Sequence, residues 1–143
     1  MEDELMDSKK TYSAFFIAGI ILAKALTSAT WTHAAEDPCA NEETYPLINK
    51  ADLQKAAESK SAFIVDVNSD SSYKKAHVPG AIHYGSHKND FAKLLPADKN
   101  KLIVSYCGGP QCSAWKKAAE DACKQGYKNI RHFKEGISGW TKS

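Results

Sequence analysis

The sequence predicts an α/β fold in which a parallel β-sheet is covered by helices on both faces. Two continuous apolar runs, residues 62–67 and 102–106, are typical of strands that are buried on both sides. Helix-like segments alternate with the strand-like ones, and this alternation favours parallel pairing. With 143 residues, the chain has room for one globular domain and a small remainder.

Local patterns justify each element in chain order. Short apolar runs predict strands at 45–48, 62–67, 81–84, 102–106 and 129–133. Good helix formers or an apolar stripe predict helices at 50–58, 71–75, 90–95 and 113–125. The last helix has small or apolar residues at a helical spacing, and Gly126 follows it as a typical terminating residue. In such sheets the reactive groups lie beyond the carboxyl ends of the strands, where Cys107 is placed.

Residues 1–34 have the pattern of a secretory signal peptide. Lys9 and Lys10 precede an uncharged, largely apolar stretch at 11–23, and small residues before position 35 suit cleavage. The stretch is short for a membrane span, although an uncleaved N-terminal anchor is a second interpretation. We predict a flexible mature N-terminus over 35–43 and a folded domain over 44–143. Both interpretations place the domain outside the cytoplasm, periplasmic or otherwise exported, with membrane contact only if the segment is uncleaved.

Composition argues against several function classes. The net charge of +2 indicates neither a nucleic-acid-binding surface nor an acidic tail. His83, His87 and His132 lack a spacing typical of metal ligands. We therefore predict no metal, no cofactor, no nucleic-acid partner and a monomeric state.

The segment YCGGPQCS, residues 106–113, carries the candidate chemistry. Gly108 and Gly109 can adopt positive φ values, so the backbone after Cys107 can curl around the sulfur. Loop N–H groups and the positive end of the next helix would stabilise a thiolate or a persulfide anion. We expect the Cys107 side chain to face the pocket and not the core. The predicted substrate-binding loop comprises Gly108, Gly109, Pro110, Gln111, Cys112 and Ser113.

A phosphatase would use cysteine in a similar loop that ends in arginine. Here Cys112 and Ser113 close the loop, and Arg131, the only arginine, lies on another predicted strand. A phosphate dianion without a bidentate guanidinium loses its main partner. Phosphatase activity is therefore not predicted.

Three segments in this order resemble the rhodanese (thiosulfate sulfurtransferase) family. They are IVDVNSDSSYKKAHVPGAIHYG, VSYCGGPQCS and GYKNIRHFKEGISGW, and the resemblance that rests on them covers residues 44–141. The resemblance implies a single rhodanese-like domain with a five-stranded parallel sheet, and Cys107 as the carrier of the transferred sulfur. It also implies a small sulfur donor, thiosulfate or a persulfide, and a thiol or cyanide as the acceptor.

The sequence departs from the family pattern at four positions. Asn68 stands in place of an arginine, Ala76 and Pro110 in place of glycines, and Cys112 in place of a serine or threonine. The last two changes form a C-x-G-P-x-C loop similar to that of small exported single-domain members. Donors other than thiosulfate therefore stay open.

Four further residues have candidate roles outside the loop. We interpret Asp66 as a carboxylate that accepts nearby backbone hydrogen bonds, and His77 as a group that orders the following turn. Cys123 lies on the apolar helix stripe and is either a small buried hydrophobe or a partner of Cys39. Four cysteines allow three pairings, and the sequence does not choose among them.

Two functions follow from these residues. In the first, the Cys107 thiolate takes the outer sulfur of a donor and passes it to a thiophile. In the second, Cys107 and Cys112 form a non-catalytic sulfur-carrier or thiol redox-sensing and binding module. We also hypothesise that Cys112 resolves the Cys107 persulfide, provided that the two Cα atoms lie within roughly 7 Å. The alternative is that Cys112 only starts the next helix.

Overall fold

The computed structural model describes residues 37–142. Its helices and strands are α1 (Lys50–Glu58), β1 (Ala62–Asp66), α2 (Asp70–Lys75), β2 (Ile82–His83), α3 (Phe91–Leu94), β3 (Leu102–Tyr106), α4 (Trp115–Lys124), β4 (Ile130–His132) and α5 (Gly136–Trp140). The signal peptide or anchor predicted over 1–34 lies outside the described residues. Within the described part of the chain, every helix is too short or too polar to cross a membrane.

The strands form one parallel sheet in the order β2-β1-β3-β4. The two central strands, β1 and β3, pair along their whole length: Ala62 lies opposite Leu102 at one end, and Asp66 lies opposite Tyr106 at the other. Their carboxyl ends therefore share one edge of the sheet, and Cys107 is the first residue beyond that edge. This arrangement confirms the predicted α/β class and parallel pairing.

Each face of the sheet has its own apolar core, because successive strand residues point to opposite sides. One core packs Val65 and Ile103 against α4, whose small residues at 118, 119 and 122 allow close approach. The other packs Ile64 and Val104 against α1 and against Phe133. The sheet is thus covered on both faces, as predicted.

Within residues 37–142 the sheet has four strands, whereas the family resemblance implied five. The segment predicted as the first strand, 45–48, makes only an isolated bridge between Leu47 and His132. His132 N–H donates to Pro46 O at 3.0 Å, and Ile48 N–H donates to His132 O at 3.0 Å. Pro46 has no N–H to extend this pairing, so the contact with β4 stays limited to one point.

A disulfide fastens the described part of the segment that we predicted to be flexible. Cys39 is buried and bonded to Cys123 of α4, with the two Cα atoms 5.7 Å apart. The Tyr45 hydroxyl donates to Cys39 O at 2.5 Å, and Lys124 lies 3.6 Å from the Asp37 carboxylate. Residues 37–44 are therefore held against α4, and Cys123 is a disulfide partner as well as part of the helix stripe.

Candidate active site

Cys107 lies directly after the central strand β3, at the carboxyl edge of the sheet. Only 2% of the residue is exposed, and it packs in the apolar core on the α4 side. The expectation that its side chain faces a pocket and not the core is therefore wrong for this form of the loop.

In the structure, Sγ of Cys107 is bonded to Sγ of Cys112. Their Cα atoms are 6.3 Å apart, which meets the distance condition set by the sequence. Cys112 N–H donates to Gly109 O at 3.0 Å and closes a tight turn around Pro110. The structure thus shows the oxidised loop, and the amide cradle around a free Cys107 sulfur stays a prediction for the reduced one.

The helix after the loop begins later than predicted, at Trp115 instead of Ser113. Ala114 is the residue before its first turn and supplies no side-chain cap. The Ser105 hydroxyl donates to Trp115 O at 2.8 Å and ties this first turn to β3. Cys112 lies three residues before the first residue of the helix, and its role as a resolving thiol stays a prediction.

The N-terminus of α5 holds the first half of the loop through backbone contacts. Ile137 N–H donates to Cys107 O at 2.9 Å, and Ser138 N–H donates to Gly108 O at 3.0 Å. Gly136 has a φ of +58°, and a Cβ there would lie 2.6 Å from Gly109 N. Only glycine permits this close approach. Sequence reasoning missed this role of Gly136, although its position just after the last predicted strand, in KEGISGW, was a signal.

Asp66 supports the loop from the neighbouring strand end. It is fully buried, and its Oδ1 accepts from Asn68 N at 2.8 Å and from Asn68 Nδ2 at 2.7 Å. Its Oδ2 accepts from the Tyr106 hydroxyl at 2.7 Å, and Val78 N–H donates to that hydroxyl at 2.9 Å. Burial raises the pKa of Tyr106 well above its usual range, so the hydroxyl stays a donor. Asp66 therefore has the contacts of a structural support, one of them from a backbone amide as predicted.

Asn68 occupies the position where the family pattern has arginine, and its side chain lies near Gly108 of the loop. A Cβ added at Gly108 would lie 3.5 Å from Asn68 Oδ1, in ordinary contact. His83 Nε2 is hydrogen-bonded to Asn68 O at 2.9 Å. Sequence reasoning missed Tyr106 and His83 as parts of this network, because their contacts join distant segments.

His77 is exposed and lies apart from this network. Its Nδ1 is hydrogen-bonded to Tyr73 O at 2.8 Å, and its ring stacks on the Tyr73 ring at 4.2 Å. These contacts fasten the chain just after α2, before the turn at Pro79 and Gly80. They are the contacts of a turn-ordering residue, and none of them reaches the loop cysteines.

Two cavities flank the loop. The cleft on the side of Cys112 has a volume of about 280 Å³ and is lined also by Trp115, His132 and Lys134. A larger cavity of about 650 Å³ lies on the side of Asn68 and Lys117 and contains neither loop cysteine. We assign the chemistry to the smaller cleft, hereafter the Cys112 cleft, because a loop sulfur lines it.

The charge of the Cys112 cleft comes from lysine and not from histidine. His132 is 7% exposed and stacks on Trp115 with ring centroids 3.7 Å apart. Burial, and then the nearby positive charge of Lys134, lower the pKa of His132 to about 4, so it is neutral near pH 7. Arg131 lines a different cavity, with Leu102 and Asn129, and is not among the residues that line the Cys112 cleft.

The described residues contain no group of three or more His, Cys, Asp or Glu side chains placed to hold a metal ion. The loop brings together a buried cysteine, a second cysteine bonded to it and a cleft whose lining includes lysine.

Comparison with known families identifies one match over most of the domain. Residues 49–143 match the family described as rhodanese-like domain. The matched region contains the loop, α4 and the α5 segment that holds it.

Two curated relatives are similar to this chain. The thiosulfate sulfurtransferase GlpE of Shewanella oneidensis is 27% identical over 89 residues, 62% of this chain and 84% of the relative. The candidate sulfur carrier protein YrkF of Bacillus subtilis is 29% identical over 102 residues, 71% of this chain. The match spans only 54%, about half, of the length of the Bacillus protein.

The solved structures confirm the architecture. The human single-domain sulfurtransferase TSTD1 aligns with a TM-score of 0.55 at 19% identity. The alignment covers 68% of this chain and 98% of the human protein. At this identity the likeness shows a shared fold.

Proposed function

Because the chain belongs to the rhodanese-like domain family, we propose that it is a sulfurtransferase whose Cys107 carries sulfane sulfur as a persulfide. Family membership and the two curated relatives support sulfur transfer in general. The donor, thiosulfate or a related sulfane compound, and the thiol or cyanide acceptor are part of the proposal.

One observation carries this assignment: the backbone of the loop is held in place by contacts that do not involve its disulfide. Two α5 amides donate to the carbonyl groups of Cys107 and Gly108. The loop is therefore held by groups other than its disulfide. Opening that disulfide leaves a cysteine at the end of a central strand, in a loop that these backbone hydrogen bonds still hold.

The proposed reaction has two steps, sulfur uptake by Cys107 and sulfur transfer to the acceptor. The Cys107 thiolate attacks the outer sulfur of thiosulfate, the sulfur–sulfur bond of the donor breaks, and sulfite leaves with the electron pair. The terminal sulfur of the persulfide is then attacked by cyanide or a thiolate. The persulfide bond breaks, thiocyanate or a new persulfide leaves, and Cys107 returns to a thiolate.

The test is Cys107→Ser in an assay of sulfur transfer from thiosulfate to cyanide under reducing conditions. We expect activity below about a tenth of wild type, because serine forms no persulfide. Cys112→Ser is the matched control, since it removes the same disulfide but keeps the proposed nucleophile. Retention of full activity in Cys107→Ser, with a native circular dichroism spectrum, would remove Cys107 from the mechanism.

The second candidate, a redox-sensing or sulfur-carrier module, is favoured by the Cys107–Cys112 disulfide itself. Such a module would cycle between dithiol and disulfide without turnover. The same cyanide assay separates the two functions, because only a sulfurtransferase produces thiocyanate repeatedly.

We further propose that the domain works outside the cytoplasm as a monomer. The signal-like sequence of residues 1–34 supports export, and two disulfides suit an oxidising compartment. Intact-mass measurement of protein made in a bacterial host tests this proposal. A cytoplasmic species that retains residues 11–34 would contradict it.

A further inference from the structure

The two sulfurs of the loop disulfide differ in their access to solvent. Cys107 is 2% exposed and lies in the apolar core. Cys112 is half-buried and lines the Cys112 cleft. Thiol–disulfide exchange depends on which sulfur the incoming thiolate can reach. An external thiol therefore reaches Sγ of Cys112 and not Sγ of Cys107.

The backbone contacts reinforce this difference. Ile137 N–H and Ser138 N–H cover the Cys107 and Gly108 carbonyl groups from the side of α5. Glycine is required at 136 because the helix approaches the loop so closely there. Cys112 N–H instead donates within the loop, to Gly109 O at 3.0 Å.

The charge of the Cys112 cleft favours one class of thiol. Its lining includes Lys116 and Lys134 and contains no carboxylate. Lys134 is exposed, and His132 adds no charge near neutral pH because its pKa is lowered to about 4. The local field attracts anions, and it acts most strongly at low ionic strength.

We propose that the Cys112 cleft receives an anionic thiol, which opens the loop disulfide by attacking Sγ of Cys112. A bond forms between the incoming sulfur and Sγ of Cys112, and the bond between the two cysteines breaks. The electron pair goes to Sγ of Cys107, which leaves as a thiolate. A second external thiol then attacks the incoming sulfur, the two external thiols leave as their disulfide, and Cys112 takes the electron pair and a proton.

This order of events liberates the proposed nucleophile first, while Cys112 still carries the external thiol. The inference rests on the proposed function, because opening the disulfide supplies the Cys107 thiolate that sulfur transfer requires. Its chemistry can nevertheless be measured in the absence of any sulfur donor. A failure here and a failure of sulfur transfer are therefore separate results.

The experiment uses oxidised full-length protein and glutathione as the anionic probe. The reaction is stopped by acid in a quenched-flow instrument, free thiols are alkylated, and peptides are mapped by mass spectrometry. We expect glutathione on Cys112 and the alkyl group on Cys107 at the earliest times. Glutathione predominantly on Cys107, or equally on both cysteines, would overturn the proposal.

The charge preference is tested with Lys134→Glu, and Lys93→Glu serves as a control of equal net charge outside the cleft. Lys134→Glu should slow opening by glutathione roughly three- to tenfold at low ionic strength, because one cleft charge is reversed. The cationic thiol cysteamine should not be slowed by that variant, and Lys93→Glu should change neither rate. Equal glutathione rates in the two variants would overturn the assignment of an anionic thiol.

Discussion

Replacing Gly136 with alanine tests whether α5 holds the active loop in place. Gly136 has a φ of +58°, and a Cβ there would lie 2.6 Å from Gly109 N and 2.8 Å from Gly108 C. Ordinary carbon contacts lie near 3.5–4.0 Å, so the loop and the helix must separate by about an ångström. That movement breaks the hydrogen bonds from Ile137 N–H and Ser138 N–H.

The expected loss in the free energy of unfolding follows from these contacts. A positive φ costs alanine roughly 1 kcal/mol, and each lost hydrogen bond costs about 1 kcal/mol, so the total is about 3 kcal/mol. Gly126→Ala is the matched control, because Gly126 has a φ of +89° and open space around its Cβ position. The free energy of unfolding of Gly126→Ala should fall only by the cost of a positive φ for alanine, about 1 kcal/mol.

The assay combines urea unfolding with sulfur transfer to cyanide. We expect Gly136→Ala to lower the free energy of unfolding about 2 kcal/mol more than Gly126→Ala, from the two lost hydrogen bonds. Activity should fall in Gly136→Ala alone, since the loop moves only there. If the two variants match in stability and in activity, α5 does not position the loop.

Two other predictions concern single side chains near the Cys112 cleft. The pKa of His132 is lowered from 6.5 to about 4, so the unfolded chain binds a proton before the folded protein does, and stability falls as pH drops through that window. Between about pH 7 and about pH 4.5, the free energy of unfolding should fall about 2 kcal/mol less in His132→Phe than in wild type, as measured by urea unfolding at each pH. An unchanged pH dependence in this variant would refute the buried neutral state of His132. Cys112→Ser should prolong the life of the Cys107 persulfide and leave no loop disulfide after thiosulfate loading, as followed by mass spectrometry; an equal lifetime would show that Cys112 does not resolve it.

The fold class could be predicted because the central strands have continuous apolar sequences. Such runs specify burial on both faces, and they lie at 62–66 and 102–106 in the structure. The position of Cys107 at the sheet edge follows from the end of the second run. The weak first strand was not predicted correctly, because a single proline limits its pairing.

The parts of the site that the sequence could not specify depend on contacts between distant segments. The pairing of Cys39 with Cys123 joins residues 84 positions apart and has no local signal. The hydrogen bond from Tyr106 to Asp66 spans 40 positions, and the helix start at Trp115 is set partly by Ser105. The disulfide between Cys107 and Cys112 is likewise permitted, and not required, by their spacing in the sequence.

The most direct test of the central claim is to locate the transferred sulfur. Purified protein is reduced, freed of reductant, loaded with thiosulfate and alkylated, and the peptide that spans residues 102–116 is fragmented in a mass spectrometer. The account predicts one added sulfur atom on Cys107 and an alkylated Cys112 at the earliest times, before Cys112 resolves the persulfide to the loop disulfide. Added sulfur on Cys112, or sustained thiocyanate production with no sulfur on Cys107, would contradict it.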